Sequence, residues 1–202
     1  MLDKLFFKTN MTWKKVIVFA LITAVYTATV LVIPFTIHSS LVNTGTTLEA
    51  WVLFALIIIM NCEKPIEASA KTFVFFLISQ PLIYLFQVPF SYLGWQIFMF
   101  YSKWFIFTLL TIPGAFIAWL IKKDNILSSL ILSAATAYLA FQAVYFIPSL
   151  INNFPKNLLS VIFCICLAYV LIFALLKKKT NRIISIIITT LSLLGSIYYF
   201  LF

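Results

Sequence analysis

The sequence predicts an all-α, polytopic integral membrane protein: a helical bundle of about seven transmembrane helices. Three observations carry this. The 202 residues are 64% hydrophobic and only 9% charged, with a mean hydropathy of +1.12, far from the composition of soluble domains. Apolar runs of the length that crosses a hydrocarbon layer, about 20 residues for roughly 30 Å, recur along the whole chain. Of its 14 basic residues, all but Lys103 and Lys156 fall in alternate loops on one side of those runs.

The first span, Lys15 to Phe35, has a basic flank, but its apolar run exceeds the ~7 to 15 residues of a signal peptide and is read as a retained helix. Ala20, Ala24 and Ala28 lie on it at small-xxx-small spacing, beside Thr23 and Thr27, and form a helix-contact strip. Similar alanine spacing occurs in the first helix of the substrate-binding S components of energy-coupling-factor transporters, whose chains are also small and basic. Those proteins typically have six spans, and the spacing by itself identifies no family.

The second span, Thr46 to Asn61, is the shortest. The third, Lys71 to Phe90, is preceded by Pro65, which suits a first helical position, and by Glu67, which suits the positive end of a helix dipole. Glu63, Lys64, Glu67 and Lys71 together read as a solvated turn. The remaining spans are Lys103 to Ile121, Ile126 to Ser149, Asn157 to Leu176 and Ile183 to Phe202. Short loops and the lack of a Gly/Ser linker make residues 1–202 a single transmembrane helical domain.

The basic residues Lys4, Lys8, Lys14, Lys15, Lys64, Lys71, Lys122, Lys123, Lys177, Lys178, Lys179 and Arg182 mark the cytoplasmic side. The N-terminus is therefore expected in the cytoplasm and, after seven spans, Phe202 outside. Trp13, Trp51, Trp95, Trp104 and Trp119 all fall near span ends, where indoles favour the interface. The net charge of +9 suits contact with anionic lipid head groups and implies no nucleic-acid role. Thirteen lysines against one arginine fit an AT-rich genome, so the expected location is a bacterial cytoplasmic membrane.

Chemical groups are scarce. There is one histidine, His38, and the acids are Asp3, Glu49, Glu63, Glu67 and Asp124, none at the centre of a span. No nucleophile with a base, paired carboxylates or metal-ligand set emerges, so the expectation is a non-enzyme without metal or cofactor. Cys164 and Cys166 would point their thiols about 160° apart on a helix, and Cys62 is remote in sequence, so no redox or metal pair is read. His38 and Glu49, at the ends of consecutive spans, are read as an outer-face polar pair.

The third span carries Gln80, Tyr84 and Gln87 at i, i+4 and i+7, one polar stripe on a helix. Pro81 frees the carbonyl of Leu77 beside that stripe, and in the fourth span Pro113 frees the carbonyl of Leu109 while Gly114 adds local freedom, a further break signal. Both prolines are read as helix breaks near mid-depth. Tyr138, Gln142 and Tyr145 repeat the stripe on the fifth span. Discontinuous helices with facing polar stripes are the sequence pointer to a transporter site. The expected function is binding or transport of a small uncharged or amphipathic solute through a Gln/Tyr-lined intramembrane cavity. The alternative is a non-transporting membrane subunit or assembly factor that holds a protein partner.

Overall fold

A computed structural model describes residues 6–33, 39–152 and 154–201. Among them every regular element is helical. In chain order these are α1 (Trp13–Val32), α2 (Leu41–Thr46), α3 (Leu48–Met60), α4 (Pro65–Gln87), α5 (Tyr101–Trp119), α6 (Ile126–Tyr145), α7 (Ile147–Asn152), α8 (Leu158–Leu175) and α9 (Lys179–Leu201). Short 3₁₀ segments, Gly94–Phe100 and Leu120–Lys123, flank α5. Six helical stretches are long and apolar enough to cross a membrane, and α3 is a shorter apolar helix of 13 residues.

The helices form two trios. In one, α4 stands between α1 and α5; in the other, α6 stands between α8 and α9. The short α3 fills the space between the trios, touching α4, α5 and α6. Its Trp51 is almost wholly buried, with ring centroids 5.7 Å from Phe76 and 6.3 Å from Trp104. Area of this kind is the main packing gain available to helices already in lipid, where dispersion replaces the hydrophobic drive.

Small residues set how closely the outer helices approach. Ala20, Ala24 and Ala28 are buried on α1, which packs along α4. In the second trio the contact is polar. Ser133 Oγ donates to Ser185 Oγ at 3.2 Å, the hydroxyls of Thr136 and Thr189 lie 2.7 Å apart, and Ser185 Oγ reaches the carbonyl of Ser129 at 3.0 Å. Each such bond across membrane helices is worth about 0.6 kcal/mol on average.

The end of the bundle that bears most of the lysines is sealed. Phe6, Met11, Met60, Cys62, Ile121 and Leu176 are buried there. Lys71 was expected in a solvated turn but is only 5% exposed, because its ammonium donates to the carbonyl of Met11 and pairs with Glu67. A buried ammonium must be paired to be tolerated, and these two acceptors tie the N-terminal segment onto α4. The carbonyl of Cys62 accepts from Trp119 Nε1 at 3.0 Å and from Lys122 Nζ at 2.7 Å. Asp124 caps α9 from the α5–α6 turn, accepting from the backbone N–H of Lys178 at 2.8 Å and Asn181 Nδ2 at 2.9 Å.

Two expectations about helix continuity are corrected. Pro81 and Pro113 lie inside α4 and α5, which both run through them as helices. Next to Pro113, Ser69 Oγ of α4 donates to the carbonyl of Ile112 at 2.9 Å, a bond that ties α4 to α5 at this level. The interruption falls elsewhere, at Thr47, whose extended backbone (φ −113°, ψ 163°) separates α2 from α3. Asn43 holds α2 in place, its Nδ2 donating to Asn157 Oδ1 at 2.9 Å and Ser160 Oγ at 2.8 Å at the start of α8.

Candidate functional site

The stripe read on the third span lines one cavity. Gln80, Tyr84 and Gln87 of α4 face a space of about 340 Å³ whose other walls include Leu31 of α1, Gly45 and Thr46 of α2, Tyr92 of the loop after α4, and Trp104 of α5. That volume equals roughly eleven waters at about 30 Å³ each, at the small end of ligand pockets. No Asp, Glu, Lys, Arg or His is among its lining residues.

Gln80 is 2% exposed, and its Nε2 has no hydrogen-bond partner among the described residues. An amide donor buried this way costs about 1–3 kcal/mol relative to a bonded one. Gln87 is satisfied within its own helix, its Nε2 donating to Ile83 O at 3.0 Å. The Tyr84 ring is held edge-on by Tyr101, with centroids 6.1 Å apart, and lies 6.0 Å from Phe98. A rigid aromatic wall therefore faces an amide whose donor is unused.

The close approach of α2 to α1 shapes the floor. A Cβ on Gly45 would lie 2.8 Å from Thr27 Cγ2, so only glycine lets α2 dip this far. Trp51 Nε1 then donates to the Gly45 carbonyl at 3.4 Å, linking the helix interruption to the central aromatic cluster.

A second cavity, about 370 Å³, follows the first along α4 and α5 toward the sealed end. Thr72, Phe76, Gly114, Ala115, Trp51 and Tyr138 are among its lining residues, and its walls are almost wholly apolar. Among the described residues Thr72 Oγ1 has no partner either, so with Gln80 α4 carries an unsatisfied polar atom on a residue lining each space. The touching rings of Trp51, Phe76 and Trp104 stand between the two cavities.

The two polar stripes do not meet. Tyr138 lines the second cavity, Gln142 is buried in the other trio, and Tyr145 is 55% exposed at the far end of α6 beside Phe146 and Phe200. The physical reason is α3: it touches both α4 and α6, and its Trp51 lines the cavity that Tyr138 opens onto, which is not the one the α4 stripe lines. Glu49 is 1% exposed, and neither of its carboxylate oxygens has a hydrogen-bond partner among the described residues. His38 lies outside the described residues.

Sequence reasoning missed three features: the interruption at Thr47, the aromatic partition and the hydroxyl seam between α6 and α9. Only the last had a clear signal, since Ser185, Thr189, Ser192 and Ser196 recur at helical spacing on one face.

The chain matches no family model, no curated protein and no solved structure.

Proposed function

We propose that this chain is a multi-pass protein of a bacterial-type cytoplasmic membrane that binds and moves a small uncharged or amphipathic solute. The observation that carries the reading is the buried Nε2 of Gln80, without a partner among the described residues, on the wall of a cavity lined by aromatic, aliphatic and a few uncharged polar side chains. A ligand carbonyl or hydroxyl would complete that donor while its apolar part lay against Tyr84 and Trp104. The absence of charge in the lining argues against a strongly ionic solute. The second cavity beyond the Trp51–Phe76–Trp104 partition supplies a further compartment on the way to the basic end.

The reading includes seven crossings. Helices α2 and α3, six and 13 residues long, together rise about 29 Å, so the pair serves as one interrupted span. The lysine-rich end then faces the cytoplasm and the Gln80 cavity lies in the outer half.

Cysteine accessibility tests the cavity in a background lacking Cys62, Cys164 and Cys166. Cysteines at positions 80, 84 and 87 are expected to react with a small water-soluble thiol reagent, and those at 82 and 85 to stay protected. Uniform protection along α4 would remove the solute reading.

One observation favours the alternative, a non-transporting subunit. An apolar groove of about 600 Å³ runs between the outer halves of α1 and α4, lined by residues such as Val25, Ala28, Val32, Leu85 and Phe90. Native mass spectrometry separates the readings: a retained small molecule supports the first, a stoichiometric protein partner the second.

A further inference from the structure

Glu49 sits in the first turn of α3, directly after the interruption at Thr47, and is buried with neither carboxylate oxygen hydrogen-bonded among the described residues; the nearby Thr47 hydroxyl donates to Asn43 O instead. Among the described residues no Lys or Arg nitrogen lies within ion-pair reach of it; the ion pair found there joins Lys71 and Glu67 instead. A bare carboxylate in a dry helical core costs several kcal/mol, and membrane interiors keep such acids only paired, protonated or hydrated.

We propose that the Glu49 carboxyl is a proton-binding site at the hinge between α2 and α3: protonated in the conformation described, and ionised only when that hinge admits water. Deprotonation breaks its O–H bond and passes the proton to that water; reprotonation reverses the step, so the balance closes without another reactant.

The surroundings support one isolated titrating group. Tyr138 of α6 and Cys164 of α8 are the titratable side chains in electrostatic contact with it, and both are neutral at pH 7 in their ordinary forms. On α4, Glu67 and Lys71 sit at the opposite end of the bundle and pair with each other. Lys103 of α5 is exposed, α2 carries no ionisable side chain, and His38 of the preceding segment lies outside the described residues.

The hinge also connects the site to the Gln80 cavity. Gly45 and Thr46, just before the interruption, line that cavity, and Glu49 follows just after it. A hinge movement that hydrates Glu49 therefore changes the cavity wall. The proton site itself stands whether or not the cavity takes a solute, and its test uses none.

The test is infrared spectroscopy of the full chain in phosphatidylcholine vesicles, read at the carbonyl stretch of protonated carboxyl groups. At pH 7 the wild type should show this band and Glu49→Gln should lack it: among the described residues Glu63 is exposed, Glu67 is ion-paired and Asp124 accepts three hydrogen bonds from Lys177, Lys178 and Asn181. A contribution from Asp3, outside those residues, would persist in Glu49→Gln. No band in the wild type, or an unchanged band in Glu49→Gln, overturns the proposal. Should the variant not fold, the wild type decides alone: a membrane-soluble carbodiimide at pH 7 should form its adduct on the peptide containing Glu49, and adducts confined to other acids overturn the assignment.

Discussion

Replacing Gln80 by Met separates a cavity wall from ordinary interhelical bonding. The substitution keeps the unbranched length of the side chain but removes the amide. Because Nε2 has no partner among the described residues, the change deletes an unsatisfied buried donor rather than a bond. The penalty removed is about 1–3 kcal/mol, offset in part by lost contacts of the amide oxygen. A net gain of 1 kcal/mol raises the melting temperature of a chain of this size by about 2–4 °C. Tryptophan fluorescence during thermal unfolding in detergent reads this, since Trp104 shares the cavity wall with Gln80. Melting should be unchanged or higher in Gln80→Met, while solute retained by the wild type in native mass spectrometry should be lost. A fall of more than about 2 °C would show that the amide is bonded to protein, and would refute the reasoning from the orphaned donor.

Further outcomes follow from other parts of the bundle. Thr189→Val removes the hydroxyl facing Thr136 at 2.7 Å and should lower stability by about 0.6 kcal/mol, and by no more than about 1.7, in the same unfolding assay. Ala24→Leu forces a larger side chain into the fully buried α1–α4 contact, and should cost about 1–3 kcal/mol while Ile22→Leu on the exposed face is silent. Burial opposes ionisation of Asp124, but the hydrogen bonds from Asn181, Lys178 and Lys177 outweigh it and hold the carboxyl below its ordinary range. The stabilisation is therefore complete above the unfolded value, near pH 4, and is lost as pH falls through the lowered one. Asp124→Ala should cost about 1–2 kcal/mol at pH 7 in this partly solvated turn, with the gap to wild type closing in strong acid. A C-terminal reporter active only in the cytoplasm should be silent; activity would refute seven crossings or the orientation.

Helix lengths were legible in the sequence because crossing lipid demands a long apolar run, and α1, α4, α5, α6, α8 and α9 satisfy it without their neighbours. Which helices pair was not legible, since hydropathy treats every lipid-facing and helix-facing leucine alike. Prolines misled because a single missing N–H does not end a long apolar helix, and α4 and α5 run through Pro81 and Pro113. The interruption falls instead at Thr47, two residues after Gly45 in a run of β-branched and polar residues, a weaker signal than a proline. Within the site, the spacing of Gln80, Tyr84 and Gln87 correctly placed those three on one face. It could not reveal that α3 would stand between that face and Tyr138.

The hydroxyl seam between α6 and α9 has a consequence for biosynthesis. Its partners Ser133 and Ser185 are 52 residues apart, so at about 5–20 residues per second Ser133 is made some 3–10 seconds before Ser185. A helix left in lipid with bare hydroxyls would be a poor insertion substrate. Before Ser185 arrives, the single hydroxyl proton of Ser133 has the Ser129 carbonyl within reach, and that of Thr136 the Leu132 carbonyl, both within their own helix. The nascent helix can thus wait in the bilayer with its polar groups satisfied, and the arrival of the last segment adds bonds instead of rescuing exposed ones.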